Sequence, residues 1–322
     1  MRVLVLGAGG YVGSRLVPQL LRRGHQVRAT FTEPARARRH AWAEAVEVVR
    51  VDAVDRPTLR SAATGSDAVV YLVHGLRGPG FAATDRAAAL HAADACAEAG
   101  VRRIVYLSGL VPPVPRERLS AHIDSRLEVE DLLTASGVPT TVLRAAMVLG
   151  RGSTPFELMR QVADRMPVQV VPRWMHARVQ PIAVVDALAA VSGALALPAQ
   201  AGSRAYDVGG PDAVAYADLL RRFSELSGAG GPRVRLPGLP RRLVRRLAAT
   251  LVDVPSPTVE ALMESLEHDM VCAEDDFVRD LLPVEHRLLG SGEAMVRALA
   301  AGDVAADGDP MGLLASDPPW AG

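Results

Sequence analysis

The chain has 322 residues, 49% of them hydrophobic and 22% charged, with 36 basic and 36 acidic side chains and no net charge. All 36 cations are arginine, and neither lysine nor asparagine occurs. Lysine Schiff-base chemistry and a phosphate loop ending in Gly-Lys-Ser/Thr are therefore excluded, and the balanced charge argues against a nucleic-acid binder.

Two cysteines, Cys96 and Cys272, make neither a disulfide framework nor a metal-ligand cluster, so no metal site is expected and the composition fits a reducing cytoplasm. The opening run MRVLVLGAGG is too short for a signal peptide. Residues 187–199 are apolar but broken by Ser192, Gly193 and Pro198, so no membrane partner is expected.

Along the first half, short apolar runs alternate with helical patterns. Strands are expected at 3–6, 26–32, 46–51, 68–73, 103–107 and 140–143, with helices over 11–23 and 82–99 between them. This βαβ rhythm predicts an α/β fold with a doubly wound parallel sheet covered by helices on both faces. Past Gly150 the pattern loosens through 151–181. A helix returns at 184–197, a strand at 205–208, and helices at 215–226, 241–252 and 257–268. The expected division is a nucleotide-binding domain over 1–150, to which 180–210 returns, and a smaller, mostly helical substrate region from 151–179 and 211–301. The segment 302–322 lacks periodicity and reads as a mobile tail.

Gly7, Gly10 and Gly13 sit between the first strand and its helix, spaced G-x-x-G-x-x-G. In that place Gly7 permits a tight turn, Gly10 lets a pyrophosphate approach the backbone, and Gly13 lets the helix pack closely on the sheet. The dinucleotide contacts expected from this loop are Gly7, Gly10, Tyr11, Val12 and Gly13. Asp52 and Ala53 follow the third strand, where a carboxylate can accept from an adenine amino group or simply cap a turn. Leu72, Val73 and His74 end the fourth strand at the same edge. The end of the second strand is ambiguous. Glu33 suits the ribose hydroxyls of NAD, whereas Thr32, Arg36 and the neighbouring Arg38 and Arg39 suit the extra phosphate of NADP, or form a solvated helix start. The balance tips slightly to NADP.

The GAGGYVGSRL loop, VRVDAVD at 49–55, YLVHG at 71–75, RIVYLSGL at 103–110, SRLEVE at 125–130, QPIAVVDAL at 180–188 and YDVGGPDAVAYADLL at 206–220 together resemble the atypical short-chain dehydrogenase/reductase family, in its NmrA-like and sugar-epimerase-like subgroup. The resemblance spans roughly residues 1–290. It implies a Rossmann fold with NAD or NADP across the C-terminal edge of the sheet, and an oxidoreductase acting on a carbonyl, alcohol or activated alkene of a small organic molecule. The alternatives are a non-catalytic NAD(P) sensor, and an isomerase, cyclase or epimerase on the same fold.

Active members of this family carry a Ser after the fifth strand and Tyr-x-x-x-Lys on the next helix, one turn apart on one face. Ser108 matches the Ser, but His122 and Arg126 stand where the Tyr and Lys belong. His122 can handle a proton near neutral pH, donating to an alkoxide as an imidazolium, with Arg126 depressing its pKa. Alternatively His122 is a partly exposed polar residue and Arg126 pairs with Glu130 one turn on. Substrate contacts are expected from Arg144 after the sixth strand and from Arg173, Trp174, Met175 and Gln180 in the irregular stretch. Phe156 and Met159 read as core. The protein is expected to be a monomer or homodimer.

Overall fold

A computed structural model describes residues 1–75, 80–165, 169–171, 173–198, 200–228, 233–235, 252–265, 268–300 and 309–321. Six strands alternate with helices in the first half: β1 (Arg2–Leu6), α1 (Tyr11–Arg22), β2 (Gln26–Phe31), β3 (Glu47–Arg50), α2 (Arg56–Ala63), β4 (Ala68–Tyr71), α3 (Phe81–Glu98), β5 (Arg103–Gly109), α4 (Ala121–Thr134) and β6 (Thr140–Ala145). A seventh strand, Arg204–Val208, joins them in one parallel sheet. From the late edge, the order is that strand, β6, β5, β4, β1, β2, β3. The chain direction of winding reverses between β1 and β4, which opens a crevice at the carboxyl ends of those strands.

Short strands this apolar must be buried on both faces. Side-chain alternation sends Val3, Val5, Val70, Val105 and Leu143 into a core shared with α1 and the helix α6 (Val184–Ala196). It sends Leu4, Leu6, Val69, Ile104 and Val142 into a second core beneath α2, α3 and α4. The expected doubly wound α/β fold is therefore present, with helices on both sides.

The second half is more ordered than its composition suggests. A helix, α5 (Thr154–Arg165), follows the glycines at 150 and 152 and packs on α7 (Tyr216–Ser227). Phe156 and Phe223 meet edge-on there at 5.3 Å between ring centroids, and Phe156 and Met159 are core residues, as anticipated. Helices also span Ser256–Ser265, Asp276–Leu281 and Ser291–Ala300. The helix anticipated at 241–252 falls almost wholly outside the described residues. Among the described residues, no helix is long and apolar enough to cross a membrane.

The tail requires a correction. Residues 309–321 are packed against α1, because Arg15 on the buried face of that helix needs a counter-charge. Its guanidinium binds both oxygens of Asp317, at 2.8 and 2.7 Å, and donates to the carbonyls of Pro310, Gly312 and Arg151. The side chains of the pair are 0% and 3% exposed. A buried arginine without such partners would be unaffordable.

Candidate active site

The glycine loop closes β1 onto α1. Gly7 adopts φ +88°, in the left-handed region, and its carbonyl accepts from Gly10 N–H at 3.0 Å. A Cβ on Gly13 would lie 2.3 Å from the Gly7 carbonyl oxygen, so only glycine allows α1 to start this close to the strand. Gly10 is less constrained: a Cβ there would meet that same oxygen at 3.3 Å, a close contact but not an overlap. Gly10 caps α1 with no side-chain hydrogen bond, leaving the first-turn amides and the positive end of the helix to an anion. Phe31, against Gly9, and Trp42, donating to the Ser14 carbonyl at 3.0 Å, brace the loop from below. This cradle fits a dinucleotide diphosphate.

One cavity of about 260 Å³ runs from the loop past the ends of β4, β5 and β6. It gathers Gly7, Gly10, Tyr11, Val12, Gly13, Leu72 and His74 with Ser108, His122 and Arg126. Three stretches of sequence far apart thus meet at the crevice, and the two residues in the Tyr and Lys positions face it together with the serine.

Ser108 Oγ is buried and has no hydrogen-bond partner. The Tyr106 hydroxyl lies beside it, close enough to feel the serine, and donates to the Arg126 carbonyl at 3.4 Å. Ser108 thus lines the cavity with a hydroxyl that has spare hydrogen-bonding capacity.

His122 occupies the first turn of α4, whose N-cap Ser120 accepts from Ile123 N–H at 3.3 Å. Arg126 Nε–H donates to His122 Nε2 at 3.3 Å, and its Nη1 reaches the Leu107 carbonyl at 3.4 Å. Burial first, then Arg126, then His74 hold the His122 pKa down at about 2; the positive end of α4 acts in the same direction. The ring is therefore neutral, accepts through Nε2 and keeps its proton on Nδ1. This corrects the imidazolium donor anticipated from sequence. The pairing of Arg126 with Glu130 is also overturned, since both Glu130 oxygens hold Arg144, at 3.0 and 2.5 Å.

His74 opens onto the cavity and stays accessible to solvent there, while surrounding protein and then Arg126 lower its pKa. Asp85, on α3, is the polar residue that sequence reading missed. It is 4% exposed and accepts from Gly75 N–H at 2.6 Å and from the Ser125 hydroxyl at 3.3 Å. Burial raises its pKa against the pull of those donors and of Arg126. Asp85 thereby ties the loop carrying His74 to the helix carrying His122. Its only sequence signal was an acid in an alanine-rich helix.

Several expected contacts lie elsewhere. Arg144 alternates onto the α4 side of β6, where Glu130 neutralises it, and does not line the cavity. Met175 is 6% exposed in the main core. Gln180 is a brace: its amide donates to the Gly210 carbonyl at 2.8 Å and its oxygen accepts from Cys272 N–H at 3.0 Å. Val73 packs with the α2–α4 core. Arg173 and Trp174 begin a 3-10 turn, Arg173–His176, but their side chains lie outside the described residues. Thr32 and Arg36 are exposed beyond β2, and Arg36 forms a double hydrogen bond to Glu33, at 3.2 and 3.0 Å. Asp52 accepts from Val54 N–H at 3.2 Å in a turn, with Ala53 between them. The far wall instead comes from Ser153, Leu158, Val179, Tyr216, Thr258 and Met270.

A family model described as NAD(P)H-binding matches residues 7–180, more than half of the chain. A 3-diazoavenalumate denitrifying reductase from a Streptomyces species is 33% identical over 181 residues, 48% of this chain and 58% of that protein. The chain thus matches little more than half the length of that relative. The fold resembles that of an NADPH-dependent quinone oxidoreductase from Escherichia coli, with a TM-score of 0.70, 20% identity and 93% and 100% of the two chains covered. It also resembles a Citrobacter triphenylmethane reductase, with a TM-score of 0.74, 19% identity and the same coverage.

Proposed function

The chain belongs to the NAD(P)H-binding family, and on that premise we propose that it is an NAD(P)H-dependent reductase of a small organic carbonyl or activated alkene. The observation that carries this is that Ser108, His122 and Arg126 line one cavity with the glycine cradle. A reduced nicotinamide, when bound, supplies the hydride. Tyr11, Val12 and Gly13 hold the diphosphate through their amides, and Leu72 and His74 flank the cavity beside the loop.

Ser108 Oγ–H and His122 Nδ1–H donate to the substrate oxygen as negative charge grows on it. Arg126 stabilises that charge and fixes the His122 tautomer. A neutral imidazole is too weak an acid to give up its proton, so His122 works as a hydrogen-bond donor, and water in the cleft supplies the proton that completes the product. No ionisation of His122 should appear in the rate profile between pH 5 and 9, a range well above its pKa of about 2.

For the cofactor we favour NADP. The Glu33–Arg36 pair has side chains 64% and 66% exposed, and such a pair is worth at most about 1 kcal/mol. Arg36 is therefore readily recruited by a 2′-phosphate. Dissociation constants for NADPH and NADH, with Arg36→Gln alongside, test this; tighter NADPH binding that Arg36→Gln abolishes supports it, and equal affinities refute it. Acceptor-dependent oxidation of bound NADPH tests the reductase reading. Tight binding without turnover over a broad panel of acceptors would instead favour a sensor of the cofactor.

A further inference from the structure

The wall facing Ser108 and His122 carries a statement about what the cavity accepts, which rests on the reductase reading. Leu72, Leu107, Ile123, Met147, Leu158 and Met270 supply most of it. No carboxylate lines the cavity among the described residues, and the one arginine there, Arg126, sits beside His122 with hydrogen bonds to that ring and to the Leu107 carbonyl. The two histidines are neutral at physiological pH. A charge carried away from the reacting carbon would thus lie against a mostly methyl and thioether wall, relieved only by the neutral hydroxyls of Ser153, Thr154, Tyr216 and Thr258.

Size narrows the class further. An apolar cavity of roughly 150 Å³ holds one benzene ring. The volume of about 260 Å³ here also takes in the glycine cradle, so only part of it is open to a substrate.

We propose that the substrate is an uncharged molecule with an apolar body whose carbonyl or conjugated double bond meets Ser108 and His122, and that the apolar wall rejects anionic substrates. In the reaction the carbonyl carbon gains the hydride and the C=O bond becomes C–O. The cofactor leaves oxidised by two electrons, and a proton from water completes the alcohol.

The test uses a matched pair, benzaldehyde and 4-carboxybenzaldehyde, with the wild-type protein. Calorimetry on the protein loaded with oxidised cofactor, where no hydride is available, gives each dissociation constant; turnover with NADPH gives each kcat/KM. Desolvating an unpaired carboxylate should cost the charged aldehyde at least about 100-fold in both quantities. Equal or better binding of the carboxylate overturns the inference, and so does failure of both aldehydes to bind the loaded protein. Failure of the cofactor itself to bind is a different result, and it overturns the reductase reading on which the inference rests.

Discussion

The acid sensitivity of folding should pass through His122. In the folded protein its pKa is held at about 2, against 6.5 for an unperturbed histidine, by burial, Arg126 and His74 in that order. Because the folded value lies below the unfolded one, the unfolded chain binds the extra proton as pH falls. Stability from this group is complete above pH 6.5 and is lost progressively below it. Over the step from pH 6.5 to pH 5 the loss approaches about 2 kcal/mol, at about 1.4 kcal/mol per pH unit. Since the ring is only half-buried, water in the cavity reduces this toward about 1 kcal/mol. His122→Gln keeps an acceptor for Arg126 and cannot titrate. Urea unfolding of both proteins at pH 7.5 and pH 5 should show the wild type losing about 1–2 kcal/mol more than the variant. Identical losses would refute the neutral-histidine argument.

Ser108→Ala should lower kcat/KM about 100-fold, the scale of one lost oxyanion donor, while the NADPH dissociation constant from fluorescence titration stays unchanged. The glycines should separate by role: a Cβ at position 10 meets the Gly7 carbonyl at 3.3 Å rather than 2.3 Å, so Gly10→Val should lower the thermal midpoint less than Gly13→Val while cofactor affinity falls at least about 10-fold. Gly13→Val must push against the Gly7 carbonyl, so its chemical denaturation should show a loss of at least about 1–3 kcal/mol. Asp317→Ala leaves Arg15 buried without its counter-charge, and urea titration should show about 3–5 kcal/mol less stability.

What was legible in the sequence is what local pattern dictates. Apolar runs of four to six residues could only be strands buried on both faces, and a glycine triplet between strand and helix could only be a close backbone approach. The position of Ser108, His122 and Arg126 in one cavity followed from strand order. The misses share a cause: they concern polar groups whose partners are distant in sequence. Strand alternation assigns Arg144 to the face of Val142, but its destination depends on Glu130 being in the adjacent helix. The helix α5 was obscured because Glu157, 0% exposed, is buried by pairing with Arg151 and Arg160 and so breaks the apolar stripe. The packed tail had one available signal, Arg15 on the apolar face of α1. A charge there demands a partner, and nothing local names Asp317.

The glycine cradle should deliver a nicotinamide cofactor to the wall formed by Ser108 and His122. Titration of the wild-type protein with NADPH, followed by nicotinamide fluorescence and repeated on Gly10→Val, tests it most directly. Saturable binding at one site per chain is expected, weakened at least about 10-fold by the substitution. Absence of saturation with either NADPH or NADH, or an affinity indifferent to the valine, would contradict it.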